Sequence, residues 1–162
     1  MNRIGFGGGC HWCTEAVFQS LQGVRKVEQG WIASDGENVT YSEAVLVYFD
    51  TKLIGLDTLV AIHLYTHSCT SSHKMRNKYR SAIYTFTEEQ ADEVTTIIAG
   101  LQSDFDQPII TQVLPFVSFR ENQEKYQNYY QNNSKNQFCT NYIIPKLNIL
   151  RQKFSKHFES VL

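Results

Sequence analysis

Residues 7–15 read Gly7-Gly8-Gly9-Cys10-His11-Trp12-Cys13-Thr14-Glu15, and the fold of the chain is read outward from them. The short apolar run over 4–7 enters the glycine turn as a buried strand would. Beyond it, Ala16, Val17 and Leu21 recur at helical spacing, with Gly23 where a stop is expected. A helix that begins just after Cys10 turns its free N–H groups and positive dipole end toward the sulfur. That favours thiolate, the nucleophilic form, and takes a cysteine pKa from about 8.5 into a range of roughly 3.5–7.5. The glycines allow positive φ and close approach of a substrate. A lone buried cysteine is commonly an inert small hydrophobe. Three glycines before it and a second cysteine three residues on favour chemistry.

Strands are predicted over 24–32, 44–49 and 81–86, and helices over 57–65 and 87–101. The second helix opens Thr87-Glu88-Glu89-Gln90, a capping-box pattern, and carries Val94, Ile97, Ile98 and Leu101 on one face. A strand interrupted near Pro115 is expected over 109–119, then helices over 121–131 and 141–158. The first six elements have the β-α-β-β-α-β order of a ferredoxin-like split unit. The expected class is α+β: a two-layer plait with a mixed sheet, helices on one side and extra C-terminal helices. All 162 residues form one domain in this reading, with no repeat or linker.

With 15 basic and 16 acidic side chains the charge is near −1. Nothing here calls for nucleic acid or an acidic membrane surface. The start MNRIGFGGGC lacks an apolar signal region, and no apolar run nears the roughly 20 residues that cross a bilayer. A cytoplasmic protein is expected. The four cysteines are Cys10, Cys13, Cys69 and Cys139. In a reducing compartment a C-x-x-C pair signals redox chemistry or a metal. Zinc held by these cysteines with His11, His63, His67 and His73 is the less favoured alternative, because structural sites usually pair ligands at short spacing.

These motifs resemble the A-type peptide methionine sulfoxide reductases. Gly9-Cys10-His11-Trp12-Cys13-Thr14-Glu15-Ala16 is similar to the family's G-C-F-W segment and the E-A that follows it. Val39-Thr40-Tyr41 looks like N-P-T-Y, and Glu43 stands seven residues before Asp50 as the family's glutamate does. His67-Ser68-Cys69-Thr70 looks like H-D-P-T, and Tyr79-Arg80-Ser81-Ala82-Ile83-Tyr84 matches Y-R-S-A-I-Y. Tyr129, Cys139 and Ile144-Pro145-Lys146-Leu147 match the C-terminal segment, so the likeness spans nearly the whole chain.

The resemblance implies reduction of methionine sulfoxide, free or peptide-bound, with no bound cofactor or metal. Cys10 would attack the sulfoxide sulfur and become a sulfenic acid. Glu43, its pKa raised, would protonate the oxygen, and Tyr79 would hydrogen-bond it. Trp12, with His11 and Trp31, would line the substrate pocket. A resolving cysteine would form a disulfide, reopened by a thioredoxin-like reductant. Cys139 is the first choice for that role and Cys13 the second, since a side chain on a regular helix cannot bridge to Cys10 without distortion. The implied enzyme works as a monomer.

Departures gather around the implied substrate. His11 replaces the family's Phe, Trp31 a Tyr, Lys74 an Asp, and Lys125-Tyr126-Gln127 stands for Y-H-Q. His11 is expected to stabilise the Cys10 thiolate or accept its proton. The alternative function is a divergent, non-catalytic or redox-sensing homologue with altered substrate; less favoured is a Cys/His metal-binding module.

Overall fold

The computed structural model describes residues 2–159. Strand β1 (Asn2–Gly7) leads to helix α1 (His11–Gln19), β2 (Val24–Ala33) and β3 (Ser42–Phe49). Helix α2 (Leu56–Thr66), β4 (Ala82–Thr85) and helix α3 (Glu88–Leu101) follow. The chain ends with β5 (Gln112–Pro115), β6 (Ser118–Glu121), α4 (Tyr129–Asn133) and α5 (Ile144–Lys153). The sheet order is β5-β4-β1-β3-β2-β6. β1 lies antiparallel between β3 and β4, and β3 antiparallel between β1 and β2, which is the expected split arrangement. The parallel β4–β5 pair makes the sheet mixed.

Alternation along the strands separates two cores. Ile4 and Phe6 of β1, Val45 and Val47 of β3, and Ile83 of β4 pack with Ala16, Val17, Leu59, Ile62 and Leu150 of the helices. On the opposite face lie Ile32, Ala44, Leu46, Ala82 and Tyr84, against Leu114, Phe116 and Phe119. No helix is needed there, because the sheet curls over this face. β5 and β6 occupy its opposite edges, yet only Phe116 and Val117 separate them. Six flat strands would hold those edges about 24 Å apart, while the three peptide steps reach about 11 Å. Ser34 Oγ donates to Pro115 O (2.7 Å), and Val117 N to Ala33 O (3.2 Å), which draws the edges together. Inside the curl, Arg80 donates to the Tyr84 hydroxyl (3.0 Å) and to the Ile32 and Thr40 carbonyls (3.0 and 3.1 Å).

Thr87 caps α3 by accepting from Gln90 N (3.0 Å), while Gln90 Oε1 reaches one residue beyond the N-cap of a capping box, to Phe86 N (2.9 Å). Two expectations are corrected. The strand over 109–119 is two strands on opposite sheet edges. The helix over 121–131 is a short 3-10 turn at Glu124–Tyr126 followed by α4. Asn128 breaks it at φ 57°, where Glu15 captures the N–H groups of Asn128 and Tyr129 (2.9 and 3.0 Å). The last helix starts with a π turn at Cys139–Ile143 and ends at Lys153.

Candidate active site

Cys10 is the N-cap of α1, with φ −58° and ψ 129°. Its carbonyl accepts from Cys13 N (3.1 Å) and Thr14 N (3.2 Å), which begins the helix. Cys10 is half-buried, beside the free N–H groups of the first turn. The Cys13 thiol and the N–H groups of Trp12 and Cys13 hold Cys10 below the ordinary thiol range, against burial and the nearby Glu43. Hydrogen bonding to Cys10 pushes the Cys13 thiol up, so one sulfur ionises while the other keeps its proton.

The glycine loop is clamped from α2 and from the turn at Lys74–Asn77. His63 Nε2 donates to Gly7 O (2.8 Å). A Cβ on Gly8, whose φ is +155°, would meet His67 Cδ2 at 2.4 Å. Arg76 Nη1 donates to the carbonyls of Gly8 (2.9 Å) and Tyr79 (2.8 Å), tying the loop to the implied oxygen-binding tyrosine. The sequence reading missed Arg76, because an arginine spent on backbone carbonyls leaves no spacing signal.

Glu43, 7 % exposed, stands on β3 opposite Trp31 of β2. Its Oε1 accepts from His11 N (3.2 Å), so the carboxyl also sits at the start of α1. Lys78 Nζ lies 3.7 Å from Glu43 Oε2 and 5.1 Å from the Tyr79 ring centroid. Lys78 thus joins the two residues expected to handle the sulfoxide oxygen. Nothing in the sequence pattern marked this exposed lysine.

His11 is held from three sides. Its ring bonds through Nδ1 to Gly30 O (2.7 Å), meets the Trp31 ring edge-on at 5.0 Å, and turns Nε2 toward Glu43 Oε1 at 3.6 Å. Burial lowers its pKa, so the neutral ring faces the acid and is no cationic partner for Cys10. Trp31 accordingly touches His11. Trp12 stacks on Tyr129 at 3.9 Å and meets Phe138 edge-on at 5.3 Å, under the C-terminal segment.

Cys139 is 0 % exposed in its π turn, and Cys69 is buried at 2 %. Burial raises both thiols. Cys10 stands at the N-cap, outside the regular turns of α1, and Cys13 lies within its first turn. His67 bonds to His63 O and to Ser81 Oγ (2.8 Å), so its ring nitrogens are occupied. Among the described residues no cluster of three His, Cys, Asp or Glu could hold a metal ion. None of the described helices is long and apolar enough to cross a membrane.

The family model described as peptide methionine sulfoxide reductase matches residues 2–158. A peptide methionine sulfoxide reductase MsrA of Deinococcus radiodurans is 37% identical, over 92% of this chain and 80% of its own. One from Trichodesmium erythraeum is 33% identical, over 98% and 96%. The fold is similar to Mxr1 of Saccharomyces cerevisiae in reduced form, with TM-score 0.76 and 21% identity over 85% of this chain and 88% of that one. It is also similar to Mxr1 in complex with Trx2, with TM-score 0.62 and 21% identity over 79% and 84%. With the family model spanning almost every residue around the clamped thiol, the chain belongs to the peptide methionine sulfoxide reductase family.

Proposed function

We propose that this chain reduces methionine sulfoxide, free or within peptides, to methionine, with Cys10 as nucleophile and Glu43 as acid. The observation that carries the reading is the meeting of both groups at one helix start. The Cys10 thiol sits at the N-cap with its pKa lowered, and Glu43 accepts from His11 N at 3.2 Å.

The Cys10 thiolate attacks the sulfoxide sulfur. A proton from Glu43 goes to the oxygen, because oxide is a poor leaving group. The S–O bond breaks, methionine leaves with its sulfur reduced, and the oxygen stays on Cys10 as a sulfenic acid. Tyr79 donates a hydrogen bond to the oxygen, and the Lys78 ammonium offsets charge on the Glu43 carboxylate after transfer. Cys13 thiol then attacks the sulfenic sulfur, water leaves, and a Cys10–Cys13 disulfide remains. Cys13 comes before Cys139 in this order, because it stands one helical turn from Cys10 and holds the Cys10 pKa down, while Cys139 is fully enclosed in its π turn. An external dithiol, thioredoxin-like protein returns both thiols; the complex of the structural relative Mxr1 with Trx2 supports such a partner. A monomer in the reducing cytoplasm suits these four free thiols.

The test is turnover of each epimer of a methionine sulfoxide dipeptide with dithiothreitol as reductant. Turnover of one epimer, abolished by Cys10→Ser, is expected. No turnover of either overturns the reading.

A further inference from the structure

The His11 side chain stands where the resembled family carries phenylalanine, and its hydrogen bonding leaves one unfilled requirement. Gly30 O can only accept, so the 2.7 Å contact with His11 Nδ1 requires a proton on Nδ1. In the neutral ring Nε2 is then a bare lone pair. It faces Glu43 Oε1 at 3.6 Å, and both side chains are nearly enclosed, at 6% and 9% exposure. A carboxylate oxygen is also only an acceptor. Two acceptors set face to face out of water repel, and one proton between them turns the contact into an attraction.

We propose that His11 is a positioning residue for the sulfoxide-reducing step, which shares one proton with Glu43 and so keeps a protonated carboxyl aimed at the start of α1. The inference rests on the reading of Glu43 as the acid. When Glu43 carries the proton, Nε2 accepts it as a hydrogen bond and fixes the carboxyl rotamer. Burial of the ring disfavours imidazolium, so the bridging proton belongs to the carboxyl. Nε2 can accept only from a protonated carboxyl, so the contact is made with the acid form of the side chain and not with the anion. The gap of 3.6 Å is wider than a formed hydrogen bond and leaves room for tightening when substrate closes the site.

The other groups facing the pair are few. Lys78 approaches Glu43 Oε2 at 3.7 Å from the segment after the Lys74–Asn77 turn. The Cys10 thiol sits at the head of α1 and interacts with Glu43. The Trp31 indole packs edge-on to the His11 ring from β2, and Gly30 O holds Nδ1. Lys78 opposes protonation of the pair, whereas a Cys10 thiolate favours it. His11 supplies the neutral acceptor on the side that Lys78 does not occupy.

Two measurements on the full-length protein test the assignment. The first is the pH dependence of single-turnover reduction of the dipeptide sulfoxide by wild type, His11→Phe and His11→Gln. His11→Phe moves the alkaline limb toward acid, with a loss of about tenfold at pH 8 and little at pH 6, for each pH unit of movement. His11→Gln keeps an amide donor for Gly30 and an acceptor for Glu43, and recovers part of the loss. Superimposable profiles for wild type and His11→Phe overturn the proposal. The second is the ¹⁵N ring shift of His11, which does not depend on activity. The proposal expects protonated Nδ1, with an Nε2 signal between the free and protonated limits that moves on Glu43→Gln. An Nε2 signal at the free limit and indifferent to Glu43→Gln sinks it. A protein with no turnover but a coupled His11–Glu43 titration refutes the reductase reading and leaves the shared proton standing.

Discussion

The Glu15 carboxylate, enclosed at 0 % exposure, accepts a 2.8 Å hydrogen bond from Gln29 Nε2. The same carboxylate accepts from the N–H groups of Asn128 and Tyr129, so α1, β2 and the start of α4 meet on one side chain. Gln29 Oε1 in turn accepts from Asn122 (2.9 Å), and Gln127 Nε2 donates to Gln29 O (2.9 Å). Removing Glu15 takes the acceptor from two main-chain N–H groups, while Gln29 Nε2 keeps the Tyr126 carbonyl (2.7 Å). Glu15→Ala is expected to lose about 2–4 kcal/mol in urea unfolding, since each unsatisfied buried donor costs roughly 1–3 kcal/mol. The Tyr129–Trp12 stack loosens with it, which lowers the near-ultraviolet circular dichroism. An unchanged unfolding midpoint refutes this account of Glu15.

The glycines before Cys10 are not equivalent. A methyl on Gly8 collides with the His67 ring at 2.4 Å on a strained backbone, whereas one on Gly9 meets nothing within 4 Å. Gly8→Ala should cost roughly 2–3 kcal/mol and slow Cys10 alkylation, and Gly9→Ala should stay within about 0.5 kcal/mol of wild type. Thermal unfolding of both variants gives the comparison. Equal effects would mean the His67 contact does not shape the loop.

Acid should weaken the fold before most carboxylates titrate. Burial takes His67 from the ordinary 6.5 to about 3, and pushes His63 down as well. Between those values the unfolded chain binds a proton that the native one refuses. The contribution of His67 is therefore complete above about pH 6.5 and is lost as the pH falls toward 3. The slope approaches 1.4 kcal/mol per pH unit for such a group. Urea unfolding at pH 7, 6 and 5 should show the decline, and His67→Gln should flatten part of it.

The two candidate resolving cysteines separate by variant. Cys13→Ala is expected to slow Cys10 alkylation at pH 7 several-fold, because the thiol that bonds to the Cys10 thiolate is gone. It should also prolong the sulfenic acid after one equivalent of substrate, as a dimedone adduct would report. Cys139→Ala should still form the Cys10–Cys13 link by peptide mass mapping. A Cys10–Cys139 link as the first disulfide reverses the order.

Much of the fold was legible because it is written in local periodicity. The continuous apolar run of β3 states a strand buried on both faces, the 3.6-residue spacing of α3 states a face, and Thr87 with Gln90 states a boundary. The site was legible where a residue type is rare for its place, as with a cysteine after three glycines. Contacts made through space left no such trace. Residues 121–131 have helical composition, but Glu15, more than a hundred residues earlier, takes the N–H groups a continuous helix needs. The orientation of His11 likewise follows from the Gly30 carbonyl on β2, which no spacing around His11 discloses. Arg76 and Lys78 act through main-chain oxygens and a single carboxyl, so composition hides them.

The two tryptophans of this chain stand close to the motif: Trp12 lies between the two motif cysteines, and Trp31 touches the His11 ring. The indole of Trp12 rests flat on Tyr129. Closing a sulfur–sulfur bond across that first helical turn necessarily disturbs the ring it brackets. The molecule therefore carries its own optical gauge, and intrinsic emission followed in a stopped-flow cell reads oxidation and recovery without an added label.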